Sequence, residues 1–209
     1  MTYTHLFWDF DGTLYNSYPQ IVRAMRRALE SFGATPPREG ALLCQLKKSV
    51  SECLALQAER LSVDVEALHE RFHAYHLQEG FFPPYEGLAN CLSGLAQSGA
   101  RHYLYTHRDN RAWENLRRDG LARLFTDGVT SEDGFPMKPA PDALQSLTRK
   151  HGLNPAHCLM IGDRDIDVQS GRNAGMAGLL FDPDGFYPMV KTELRANSLA
   201  ELRQRVERA

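Results

Sequence analysis

Two carboxylates two residues apart, Asp9 and Asp11, stand at the end of a short apolar run and precede Gly12-Thr13. In a low-dielectric cleft they repel one another unless a cation neutralises one or a proton stays on the other. Gly12 permits a sharp turn and close backbone approach, and Thr13 offers a hydroxyl to an anionic ligand. The plain alternative is that Asp-x-Asp-Gly marks a turn and nothing more. A second acidic group, Gly162-Asp163-Arg164-Asp165-Ile166-Asp167, also follows an apolar run. If a helix begins there, Asp163 and Asp167 share a face. Oxygen-only donors from two such places suit a hard cation, and Mg2+ retaining waters fits better than zinc, for which no His/Cys set is present. Capping of a helix N-terminus accounts for one of these aspartates but hardly for all.

Thr106 ends Tyr103-Leu104-Tyr105, and Lys138 lies in the proline-stiffened Phe135-Pro136-Met137-Lys138-Pro139-Ala140-Pro141. A hydroxyl and an ammonium at one edge of a sheet would give a phosphate a hydrogen bond and a counter-charge. Taken alone, a lysine is a solvated surface residue.

These groups need a scaffold. Leu6 to Phe10 is a short apolar run that stops at Asp11-Gly12, the pattern of a buried strand meeting a turn. Arg101 to Thr106, Asp127 to Thr130, Cys158 to Ile161 and Gly178 to Phe181 have the same character, which predicts five strands. Between them, Leu88, Leu92 and Leu95, then Trp113 and Leu116, then Leu144 and Leu147 recur at helical spacing. Alternating strands and helices predict an α/β fold, a doubly wound parallel sheet whose ligands bind beyond the carboxyl ends of the strands.

The stretch from Ser17 to Gly80 breaks the alternation. Ile21, Met25, Ala28, Leu29 and Phe32 repeat at helical spacing up to Gly33, further helical segments start near Arg38 and Asp64, and Pro83-Pro84 returns the chain to the sheet. The organisation predicted is a core from 1–15 and 83–209 with an all-helical insert over 16–82, hinged near Tyr15 to Ser17 and near Phe82 to Tyr85. Within the insert, His69, His73 and His76 have a spacing that can bind metal, though without an acidic or cysteine partner. Tyr15, Tyr18, Arg23 and Lys47 are candidates to read a leaving group. Trp8 and Trp113 read as core.

The chain has 209 residues, 43% of them apolar, and a formal charge of -2, enough for one domain plus an insert and without the basic field that gathers nucleic acid. No secretion signal and no membrane span are read from it. Cys44, Cys53, Cys91 and Cys158 are widely spaced, which predicts buried reduced thiols and a cytosolic protein. Whether it is a monomer or a homodimer is left open by the sequence.

Asp9-Phe10-Asp11-Gly12-Thr13-Leu14, then Thr106, then Lys138-Pro139, then Gly162-Asp163-x-x-x-Asp167-x-x-x-Gly171-x-x-Ala174-Gly175 together resemble the haloacid dehalogenase superfamily. The insert resembles the helical cap of its phosphoglycolate-phosphatase-like and phosphoglucomutase-like branch. The resemblance implies a phosphatase of small phosphorylated metabolites working through an aspartyl-phosphate. Asp9 would be the nucleophile and a Mg2+ ligand, Asp11 the general acid/base with its backbone carbonyl on the metal, and Asp163 a direct ligand. Asp167 would support the ion through water or Lys138. Thr106 and Lys138 would hold the phosphoryl oxygens, with Gly12 and Thr13 lining the same anion site. A phosphomutase with the same intermediate is the alternative, and a non-catalytic metabolite-binding module a more distant one. The sequence departs from many relatives after Thr106, where His107-Arg108 stands in place of Asn-Lys. Both are candidates to contact the substrate, Arg108 by binding a second anionic group, with a surface residue beside a helix start as an equal reading of Arg108.

Overall fold

The computed structural model describes residues 2–209. Six strands form one sheet: β1 (His5–Trp8), β2 (Arg101–Tyr105), β3 (Phe125–Val129), β4 (Cys158–Gly162), β5 (Ala177–Phe181) and β6 (Leu194–Ala196). Their order is β3-β2-β1-β4-β5-β6 and every neighbouring pair is parallel. The sixth strand was not read from the sequence, because Leu194-Arg195-Ala196 is too short and too mixed to make an apolar run. β1 lies in the middle with β2 on one side and β4 on the other. The chain winds outward through β2 and β3, then crosses back to β4, so the switch point of the sheet lies between β1 and β4.

Alternation along each strand divides the apolar residues between two faces. On one, Phe7, Tyr103, Tyr105, Cys158 and Met160 pack with Ala143, Leu144 and Leu147 of α7 (Asp142–His151) and with Ala174 and Met176, which close α8 (Asp165–Asn173). On the other, α5 (Leu88–Gln97) touches β2 and α9 (Leu199–Arg208), and α9 touches β6. α6 (Arg111–Arg118) also joins this face, where Trp113 meets Phe125 edge-on at 6.1 Å. Helices on both faces make the sheet doubly wound. Trp8 is fully buried, whereas Trp113 is half-buried, a cover over the sheet edge and not the core residue expected.

The chain divides into two compact units, one running to Tyr15 and resuming at Pro84 through Ala209, the other Asn16–Pro83. The second is all helical: α1 (Tyr18–Ser31), α2 (Glu39–Lys48), α3 (Val50–Leu61) and α4 (Val65–Gln78). The helical stretch from Arg38 is two helices, because the Ser49 side chain caps α3 by accepting from the Glu52 N–H. Ile21, Met25, Leu29, Leu42, Leu54, Leu68 and Phe72 form its core. Cys53, Cys91 and Cys158 are buried, but Cys44 is exposed: it falls on the outer face of α2, away from Leu42 and Leu46. No described helix is long and apolar enough to cross a membrane.

Candidate active site

The strand register brings the chemistry together. Trp8 lies opposite both Leu104 of β2 and Ile161 of β4, so Asp9, Thr106 and Asp163 emerge from three adjacent strands at the carboxyl edge. The Asp9 N–H donates to the Ile161 carbonyl at 2.9 Å, and the Thr106 N–H to that of Val129 at 3.0 Å. After Asp9 the chain turns sharply. The Phe10 carbonyl accepts from the N–H groups of Thr13, Leu14 and Tyr15, and Gly12 takes φ +76°, a conformation that favours glycine. Thr13 is fully buried, and its Oγ1 has no hydrogen-bond partner among the described residues.

Lys138 reaches this edge from the loop between β3 and α7. Its Nζ donates to Asp9 Oδ1 at 2.6 Å, Asp167 Oδ1 at 2.7 Å and the Tyr105 carbonyl at 2.9 Å. Far from being a solvated lysine, its side chain is wholly out of solvent. Asp167 stands on the first turn of α8, where its Oδ2 also accepts from the Arg164 N–H at 3.0 Å. Gly162 makes room for it, since a Cβ there would lie 2.2 Å from Asp167 Cγ. Asp163 precedes the helix instead of sharing a face with Asp167. The two converge because one leaves the strand end and the other returns on α8.

Asp9, Asp163 and Asp167 are all buried and offer oxygens within 4.8 Å of one another. Burial pushes the Asp9 carboxyl up to about 7, against the pull of Lys138 and helped by Asp167 and Asp163. Asp167 moves down: burial opposes this, but Lys138 and Arg164 prevail. Lys138 moves up despite its burial, through Asp167 and Asp9. Two of these three buried carboxyl groups share the Lys138 ammonium, and the all-oxygen donor set fits a hard divalent cation such as Mg2+.

Asp11 is held by Arg108, whose Nε lies 3.1 and 3.0 Å from the two carboxylate oxygens and whose second nitrogen lies 2.5 Å from Oδ1. Arg108 is buried, which excludes the surface reading; the Asp11 side chain is 26% exposed. Thr106 Oγ1 accepts from the Arg108 N–H at 3.0 Å, closing the turn after β2. His107 Nε2 accepts from the Lys138 backbone N–H at 2.7 Å. Burial first, then the charges of Lys138 and Arg164, bring His107 down to about 3.

Sequence reasoning missed Asn173, which donates to the Pro139 carbonyl at 2.9 Å, and the half-buried Tyr85 and Tyr187. Burial and the field of Asp163 raise the hydroxyls of both tyrosines. Tyr187 follows a loop tied down by Asp182, which accepts from the Phe186 and Tyr187 N–H groups. No local pattern announces these residues; a tyrosine beside prolines reads as loop. In the helical unit His69 and His73 are exposed, with ring centroids 6.4 Å apart, while His76 is buried and stacked on Phe72 at 5.5 Å. The three do not form one cluster.

The sequence profile of the haloacid dehalogenase-like hydrolases matches residues 6–180. The phosphoglycolate phosphatase of Vibrio parahaemolyticus is 30% identical, covering 93% of this chain and 92% of its own length. The pyrophosphatase PpaX of Halalkalibacterium halodurans is 26% identical over 82% of this chain and 80% of its own. The crystal structure of a hydrolase from Streptococcus pneumoniae TIGR4 aligns with a TM-score of 0.65 at 30% identity, over 87% of this chain and 94% of that one. With its motif carboxylates gathered at the switch point of the sheet and a family match over most of its length, the chain belongs to the haloacid dehalogenase-like hydrolases.

Proposed function

We propose that this protein is a Mg2+-dependent phosphatase that transfers the phosphoryl group of a small phosphorylated metabolite to Asp9 and then to water. The observation that carries the reading is Lys138 bound at once to Asp9 and Asp167 beside Asp163. This is a nucleophile with a counter-charge already fixed at its oxygen. The relatives named for phosphoglycolate and pyrophosphate make those two compounds the first substrates to try.

Asp9, Asp163 and Asp167 would hold Mg2+, together with the Asp11 backbone carbonyl; when bound, the ion supplies positive charge against the phosphoryl oxygens. The protein's own groups account for the rest. A carboxylate attacks a phosphate poorly because both are negative; Lys138 reduces that repulsion and fixes Asp9 for in-line attack. The buried Thr13 hydroxyl and Thr106 give the transferring oxygens hydrogen-bond donors in a water-poor site. Asp11 donates a proton to the leaving oxygen and, as carboxylate, takes one from the water that cleaves the aspartyl-phosphate. With both of its oxygens on Arg108, Asp11 stands in the accepting arrangement that suits the second step. Delivering the proton in the first step requires it to part from Arg108. We place the enzyme in the cytosol, where its free cysteines stay reduced.

The test is phosphate release from p-nitrophenyl phosphate and a panel of about fifty phosphometabolites, with Mg2+ or EDTA, for wild type and Asp9→Asn. Magnesium-dependent release that the substitution abolishes is the expected result. Release that survives in Asp9→Asn, or the absence of release from every compound, would sink the reading. A phosphorylated enzyme that returns its phosphoryl group to a sugar in preference to water would make it a mutase.

A further inference from the structure

We propose that His107 is a positioning residue that clasps the Lys138 loop onto the turn after β2 and so sets where the Lys138 ammonium stands. The activity part of this inference rests on the phosphatase reading; the clasp itself does not.

The loop carrying Lys138 cannot secure itself. Pro136, Pro139 and Pro141 have no N–H, so over 136–141 only Met137, Lys138 and Ala140 can donate. Ala140 spends its N–H inside the loop, on the Met137 carbonyl at 3.0 Å. The segment belongs to no strand and is tied down by side chains. Asn173 of α8 donates to the Pro139 carbonyl at 2.9 Å, the Tyr105 hydroxyl reaches the Ala140 carbonyl at 3.4 Å, and His107 Nε2 receives the Lys138 N–H at 2.7 Å. Of these three ties only His107 acts on the backbone of Lys138 itself.

The bond also fixes the state of the ring. A nitrogen that accepts an amide N–H carries no proton, so His107 is neutral with its proton on Nδ1. Its low pKa, set first by burial, keeps that form across the working range of pH. From sequence His107 is a candidate substrate contact; the geometry engages its Nε2 on the protein instead. Three hydrogen bonds hold the ammonium end of this long flexible side chain, and the His107 bond holds its backbone end. Displacing a charge by about an ångström from its productive place costs roughly 100-fold in rate.

The test compares His107→Leu, which removes the acceptor, with His107→Gln, whose Oε1 can take the place of Nε2. Amide hydrogen exchange at Lys138 should speed up by about tenfold or more in His107→Leu and stay close to wild type in His107→Gln. Exchange at Leu104 and Ile161 should not change in either, which establishes that both variants are folded. With p-nitrophenyl phosphate and Mg2+, kcat should fall roughly 10- to 100-fold in His107→Leu with KM little altered, and His107→Gln should recover most of it. Unchanged Lys138 exchange in His107→Leu would overturn the clasp, as would equal kcat in the two variants. A raised KM with unchanged kcat would overturn it too, returning His107 to the substrate. If the wild type hydrolyses nothing, the phosphatase reading falls, and the exchange measurement alone decides the clasp.

Discussion

Two buried polar networks begin at neighbouring residues where β1 ends and are built on opposite principles. At Asp9 the network is ionic: Asp9 and Asp167 share the ammonium of Lys138, with Asp163 beside them. At Trp8, one residue earlier, it is neutral. The indole Nε1 donates to His102 Nδ1 at 3.0 Å, and His102 Nε2 donates in turn to the Leu92 carbonyl at 3.0 Å, with both side chains fully buried. Each atom of the neutral chain has its one partner and nothing is left over, so its net effect is to tie α5 to the sheet. In the ionic network the pKa of Asp9 is raised, by burial first and then by Asp167 and Asp163, against the pull of Lys138. The difference teaches that this fold can satisfy a buried polar chain completely, and that the carboxyl edge gathers acidic groups where the proposed chemistry would use them.

The comparison can be broken most sharply at its ionic end. Asp9→Asn keeps shape and removes the proposed nucleophile, so Mg2+-dependent phosphate release should fall by about 10,000-fold or more, with little change in the urea midpoint. Lys138→Met should lower kcat roughly 100- to 1,000-fold and, by leaving Asp9 and Asp167 without their shared cation, destabilise the fold by about 3 to 5 kcal/mol in urea titrations. An unchanged midpoint in Lys138→Met would mean that the ion pairs are dispensable to the fold.

At the neutral end the order of effects reverses. His102→Leu should cost about 1 to 3 kcal/mol of stability at pH 7, because the Trp8 N–H and the Leu92 carbonyl lose their partner, while kcat changes little. Acid sharpens the contrast. Burial lowers His102 to about 4 from its ordinary 6.5, so below pH 6.5 the unfolded chain takes up a proton that the folded chain refuses. Stability supplied by the neutral ring is complete above 6.5 and drains away as pH falls toward 4, by about 2 kcal/mol at pH 5. Wild type should therefore lose that much more than His102→Leu between pH 7 and pH 5, measured as the difference of their urea midpoints. Parallel losses would show that His102 titrates normally in the fold.

What the sequence disclosed follows the same division. Asp9, Thr106 and Asp163 were legible because each directly follows an apolar strand, and an α/β sheet sends strand ends to one edge. Doubly wound topology was legible for the same reason, but β6 was not, since three residues carry no period. Lys138 could be nominated from its motif, yet not its three partners, which come from segments 29 to 129 residues away. His107 and Arg108 were singled out as departures and given to the substrate. Their observed partners, Lys138 N–H and Asp11, depend on how two loops meet, and side-chain direction in a loop has no periodic signature. Asp163 and Asp167 were joined by the wrong geometry, because sequence spacing cannot tell a helical i,i+4 pair from a strand end facing the next helix.

The seam of the helical unit has a consequence for how such a chain can change. Asn16 N–H meets the Pro83 carbonyl at 2.9 Å, and on the sheet side Tyr15 bridges to Pro84 while Tyr85 N–H reaches the Leu14 carbonyl at 3.0 Å. Entry and exit thus run side by side as a short two-stranded stem, and the ends that an insert must join are already in register. Material can be lengthened, shortened or exchanged beyond that stem at only the slowly growing entropy of a closed loop, about 0.6 kcal/mol per doubling. The Asp9 edge need not be rebuilt each time. The fold thus permits the helical unit to vary while the sheet and its carboxyl edge stay as they are.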